Sequence, residues 1–203
     1  MKQFFMLVAV VGTLAACGGS KKSEPAKPVE AAPPVAAAPP PEPVKPPEPA
    51  PPPAPKEATA TLAAASKSKV SGSITFKEVD GGVEVTAAVE GLKAGDHAWH
   101  VHETGDCSAP DAKSAGGHFN PNNHKHGMPD MEEHHEGDFG NLTAGKDGKA
   151  SKTFTMKGIT LADGPTSIVG KGFIIHAKAD DGKTQPTGNA GDRIACGVIN
   201  LNP

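Results

Sequence analysis

Fifteen of the chain's 21 prolines crowd between Pro25 and Pro55, and they divide the 203 residues into a part that can fold and a part that cannot. Proline has no backbone N–H to offer a helix or a ladder, and the Ala, Val, Glu and Lys between the prolines supply few bulky groups for a core. The stretch to residue 66 is therefore expected to be extended, polyproline-like coil. At about 3.1 Å per residue, about thirty residues reach on the order of 90 Å when fully extended. A tether is its plain use, and the folded domain is expected over residues 67–203.

Ahead of the tether, MKQFFMLVAVVGTLAAC has a basic start at Lys2, an apolar run and small residues at Ala15 and Ala16. About a dozen apolar residues are too few to span a bilayer, so residues 1–16 read as a secretory signal peptide. The end LAAC resembles a bacterial lipobox, which implies cleavage before Cys17 and lipid on that cysteine; the alternative is an ordinary signal peptide with a chance cysteine. Gly18 stands where an Asp would imply retention at the inner membrane. The expectation is a protein of the cell envelope, lipid-anchored to the outer membrane and facing the periplasm. Setting Cys17 aside leaves Cys107 and Cys196, an even pair in an oxidising compartment. A disulfide is the favoured reading; the rival is a pair of thiolate metal ligands, weakened because neither cysteine sits in a CxxC-like pair.

The texture changes near Val70. Residues 70–76 (VSGSITF) and 83–89 (VEVTAAV) are β-rich runs joined by a hairpin signal at Asp80-Gly81-Gly82. Residues 151–157, 172–179 and 196–201 read as further strands. No window sustains a 3.6-residue repeat, and short strands with Gly/Asp turns imply an all-β sandwich or barrel. Two loops, roughly 103–139 and 180–193, are too long to be mere connections and are expected to be functional or cross-linked.

Within DHAWHVHETGDC, His100 and His102 are two residues apart, so in an extended strand both imidazoles leave one face and Trp99 and Val101 the other. His97 falls on the face opposite His100. The long loop then concentrates His118, His124, His126, His134, His135 and Asp138. Here the pattern becomes specific. HVHE, GGHFNP, KHG, HEGD, GNLTAGKDG, IIHAKADD and GNAGDRIACGVI, in that order across residues 70–202, resemble the signature blocks of copper,zinc superoxide dismutases.

That resemblance implies a Greek-key β-sandwich or barrel, immunoglobulin-like, and conversion of the superoxide anion to oxygen and hydrogen peroxide. It implies one copper per subunit at His100, His102, His118 and His176, and one zinc at His118, His126, His135 and Asp138. His118 would bridge the metals and supply a proton. Asp180 matches an aspartate that orients ligands of both metals, and Arg193 the arginine that receives the substrate anion. Cys107 and Cys196 match a disulfide. The donor chemistry agrees: imidazole suits both metals, and three imidazoles with one carboxylate suit a closed structural zinc. His97 is expected to be a structural hydrogen-bonding residue, and His124 and His134 to be solvated.

The departures carry their own expectations. Cys107 lies five residues after His102 and eleven before His118, an arrangement closer to the bacterial branch, so a monomer or a bacterial-type homodimer is expected. In the short segment DDGKTQPTGNAGDR, Pro186 stands where the family pattern has a lysine, leaving Lys183 as the candidate steering charge. From residue 68 onward 13 Lys plus Arg stand against 18 Asp plus Glu, a net of −5. No nucleic-acid partner is expected, and attraction of an anion must be local rather than global.

Overall fold

The computed structural model describes residues 54–203. Eight strands carry the domain: β1 (Glu57–Ala64), β2 (Ser71–Val79), β3 (Gly82–Glu90), β4 (Gly95–His102), β5 (Asp138–Ala144), β6 (Ala150–Met156), β7 (Gly172–His176) and β8 (Arg193–Leu201). They pair antiparallel in the order β5-β4-β7-β8-β1-β2-β3-β6, and β5 and β6 meet at the two ends of the order, so the sheet rolls into a nearly closed barrel. Strand β3 pairs with β6 and β4 with β7, the skipped connections of the expected Greek-key class.

One expectation is overturned. Strand β1 lies inside residues 17–66, the stretch read as tether, and its neighbours are β2 and β8. The reason is visible in EATATLAA: Ala58, Ala60 and Leu62 are buried while Glu57 and Thr61 are exposed, a period-2 pattern written mostly in alanine. Alanine has low β-propensity, and packing supplies what propensity does not. The tether as far as residue 53, Cys17 and the signal peptide lie outside the described residues. Strand β5 is additional to the expected strands and starts at Asp138, inside the expected long loop, and β7 ends at His176 rather than residue 179.

The two faces of β4 do different work. Trp99 and Val101 point into the barrel, where Trp99 packs edge-on against Phe139 and Phe173 with ring centroids 5.8 and 5.9 Å away. Its indole N–H donates to Phe139 O at 2.9 Å, so the largest core side chain is also polar-satisfied. His100 and His102 take the other face, under the long loop of residues 103–137. The register shifts between Ala98 and His100 against β5, and between Ile175 and His176 against β8. Bulges of this kind re-aim the side chains that follow them, and here those side chains are histidines.

Cys107 and Cys196 form a disulfide with a Cα–Cα distance of 5.8 Å, pinning the long loop to β8.

Candidate metal centre

Three strands and one loop bring seven side chains into two sets that share one member. Donor atoms of His100, His102, His118 and His176 lie within 4.8 Å of one another, as do those of His118, His126, His135 and Asp138. All seven are buried. His100 and His102 come from β4, His176 from the end of β7, Asp138 from the start of β5, and His118, His126 and His135 from the loop between β4 and β5. His118 is seated at the shared position by an isolated β-bridge to His102.

The polar accounting shows what the two sets fit. Among the described residues, His100 Nδ1, His102 Nε2, His118 Nε2, His126 Nδ1, His135 Nδ1 and His176 Nε2 are buried with no hydrogen-bond partner. A buried polar atom without a partner is costly, and six such nitrogens at one place indicate a common electrophile. The opposite nitrogens are held. His102 Nδ1 lies 3.0 Å from Gly116 O, and His176 Nδ1 lies 3.3 Å from Gly191 O. His100 Nε2 lies 2.7 Å from Asp180 Oδ2, and His126 Nε2 lies 2.9 Å from Asp180 Oδ1. Fixing one ring nitrogen sets the tautomer and aims the other, as at metal-ligating histidines. Residues and chemistry therefore fit one all-imidazole site and one mixed imidazole–carboxylate site.

Asp138 is the electrostatic centre of the second set. Its Oδ1 is 2.7 Å from His118 Nδ1, and its Oδ2 accepts from His135 N at 2.9 Å and Gly127 N at 3.1 Å. Burial alone would raise its pKa, but the imidazoles of His118, His126 and His135 beside it outweigh that and hold the carboxyl far below the usual range. Asp180 is likewise depressed, against its burial, by His100 and His126. Burial disfavours a charge on His126, yet Asp138 and then Asp180 lift it to about 9. His118 moves oppositely: burial and then His100 bring it down to about 4. Burial also pushes His102 and His176 well down.

Asp180 spans the two sets, as the resemblance implies. Its main chain is gripped by Asn141, whose Oδ1 accepts from Asp180 N at 2.7 Å while its Nδ2 donates to Asp180 O at 2.9 Å. Gly188, at φ +65°, passes so close that a Cβ there would overlap the Asp180 carboxylate and lie 2.6 Å from His126 Nε2. Asn141 and Gly188 are functional residues that sequence reasoning missed. Both stand within quoted blocks, GNLTAGKDG and GNAGDRIACGVI, but their roles depend on contacts far along the chain.

Arg193 opens β8 beside the first set. Nη1 donates to Ala112 O at 2.8 Å and Nη2 to Gly116 O at 2.6 Å, so the loop's main chain orients the guanidinium. It lines a surface opening of about 370 Å³ with Ser66, Asp111, Lys113, Gly191 and Asp192. Lys183, the expected steering charge, is not among those residues; Lys113 is, paired with Asp111 at 2.9 Å.

The remaining histidines fall outside both sets. His97 sits between two carbonyls, Nδ1 2.8 Å from His176 O and Nε2 2.9 Å from Lys93 O, which is the structural role expected of it. His124 is exposed, and His134 is half-buried with Nδ1 2.9 Å from Met131 O. Residues 70–199 match the family model described as copper/zinc superoxide dismutase (SODC).

Proposed function

The chain belongs to the copper/zinc superoxide dismutase family, an oxidoreductase family acting on superoxide, and from that premise we propose how its residues divide the work. His100, His102, His118 and His176 hold copper; His118, His126, His135 and Asp138 hold zinc. The observation that carries this division is the sharing of His118 between two buried donor sets, each with ring nitrogens that lack a hydrogen-bond partner. When bound, copper supplies one-electron oxidation and reduction, and zinc supplies fixed positive charge and structure.

The chain's own groups supply the rest. A superoxide anion is received by Arg193, whose planar, permanently charged head is pre-oriented by Ala112 O and Gly116 O. His118 Nε2 takes up a proton in one half-cycle and gives it to the second substrate in the other. Two superoxide anions and two protons thereby yield oxygen and hydrogen peroxide. Asp180 keeps the rings of His100 and His126 in register throughout.

The protein works in the cell envelope, carried on lipid at Cys17 and held off the membrane by its proline-rich arm. Supporting this are the signal-like start, the LAAC sequence and a disulfide of the kind that persists in oxidising compartments. Metal content and superoxide decay, measured on the purified chain with and without added copper, test the catalytic reading. Zinc without copper, or copper without dismutation, sinks it. Incorporation of labelled lipid into the wild type but not Cys17→Ser tests the anchor.

A further inference from the structure

The segment between β7 and β8 (residues 177–192) touches His126 at three points. Asp180 Oδ1 lies 2.9 Å from its Nε2. Gln185 Oε1 accepts from the His126 main-chain N–H at 2.8 Å, and Gln185 Nε2 donates to the His126 carbonyl at 2.8 Å. One side-chain amide thus exchanges both bonds with one residue, as two residues do across a hydrogen-bonded pair in an antiparallel ladder. The ring nitrogen left over, Nδ1, is buried without a hydrogen-bond partner, 3.0 Å from Asp138 Oδ2.

Gln185 is itself well supported. Asp181 Oδ1 accepts from Lys183 N at 2.9 Å and Thr184 N at 2.8 Å, and Gly188 N donates to Thr184 O at 2.7 Å. The turn that carries the amide is closed on itself, and the amide projects from it onto the other loop. Glutamine has the right chemistry because only a carboxamide offers an acceptor and a donor side by side.

We propose that Gln185 is a positioning residue for the zinc set: it fixes the main chain of His126, so that the ring held by Asp180 presents Nδ1 to the metal. Both loops then report to one ligand, and the loop that carries Asp180 controls how firmly zinc is kept. This rests on the reading of His126 as a zinc ligand.

The test uses the full chain loaded with copper and zinc, in wild type, Gln185→Ala, Gln185→Asn, Gln185→Glu and His126→Ala forms. Three quantities are read: the rate of zinc release to excess chelator, the visible spectrum of cobalt(II) placed in the zinc site, and the melting temperature. Loss of an outer partner typically weakens metal binding by about 10–100-fold. Q185A and Q185N, which lack reach, are expected to release zinc about 10-fold faster with a shifted cobalt spectrum. Q185E keeps the acceptor but loses the donor and is expected to fall between. Wild-type release and spectrum in Q185A, with H126A losing its zinc, overturn the positioning role alone. A lowered melting temperature with an unchanged cobalt spectrum also overturns it, since that is the signature of a merely structural contact. Zinc kept at the wild-type rate by H126A overturns the assignment of His126 itself.

Discussion

His176 and Arg193 face one another across the β7–β8 ladder, immediately beyond a register shift in β7. One is a member of the all-imidazole set and the other lines a surface opening, so the pairing of two strands sets a guanidinium beside one of the set's histidines. Arg193→Ala is expected to lower the rate constant for superoxide decay by about 10–1,000-fold, the range over which local charge raises the arrival rate of an oppositely charged substrate. Arg193→Lys should recover part of it, because a point charge replaces a forked donor. Stopped-flow decay with parallel metal analysis is the check; equal metal content with an unchanged rate would rule the role out.

His118 and Asp138 are joined at 2.7 Å but belong to different numbers of sets, His118 to two and Asp138 to one. His118→Ala should disturb both metals. Asp138→Ala should chiefly loosen zinc, by on the order of 100-fold or more given what outer partners alone contribute. Metal analysis of the purified variants decides, and equal loss of both metals in each contradicts the division of roles.

Strand β1 occupies a middle position, between β8 and β2. A chain beginning at residue 54 should therefore keep its fold and dismutase activity. A chain beginning at residue 67 should fail to fold, because it strips the ladder partners from Ala58 to Ala64 and exposes apolar faces of both neighbours. Circular dichroism and activity of the two truncations separate the outcomes.

The metal-stripped protein should be most stable near pH 6.5. Below it, an unfolded chain takes up protons on His118, held down to about 4 in the fold, and on His102 and His176, held well down. The unfolded state then binds more protons, so stability falls as pH falls from 6.5 toward 4. Above it, His126 matters: its folded value of about 9 contributes stability that is complete below its unfolded value near 6.5 and is lost as pH rises toward 9. Melting temperatures of chelator-treated protein across pH 4–9 should trace a peak, and a monotonic curve would refute this.

The Cys107–Cys196 bridge closes a separation of 89 residues. By the chain-entropy account, closure of a loop of that length contributes about 4–5 kcal/mol. Cys107→Ser is expected to lower the melting temperature of the metal-stripped protein. It should also reduce activity beyond its effect on metal content, since the loop it frees carries Ala112 and Gly116, the acceptors that orient Arg193. Activity per bound copper is the deciding quantity.

Much of this site was legible before any coordinates. Alternation alone put His100 and His102 on one face of a strand, and the order of motif blocks pointed to the residues that β7 and the β4–β5 loop set beside them. What stayed hidden shares a physical character. Strand β1 was concealed by composition, its inward face being mostly alanine, Ala58 and Ala60 with Leu62, beside a run of prolines. Gln185 and Asn141 act through side-chain bonds to main chain 59 and 39 residues away, and such contacts leave no periodicity to read. The carbonyls that hold Arg193 belong to alanine and glycine, which have no side-chain chemistry to draw the eye.

The pairing of β1 with β8 also sets when this enzyme can become one. Thr59 and Asn202 bond across a separation of 143 residues, so β1 and β8 meet only after the long stretch between them has been made. Contacts of such range are slow to form, because loop entropy is lost before they return any stability. Arg193 and Cys196 stand on that last strand. A nascent chain can therefore assemble β2, β3 and β6 early, while Arg193 and the disulfide wait for β8. Until then the molecule has histidines enough for metal but no finished barrel in which to use it.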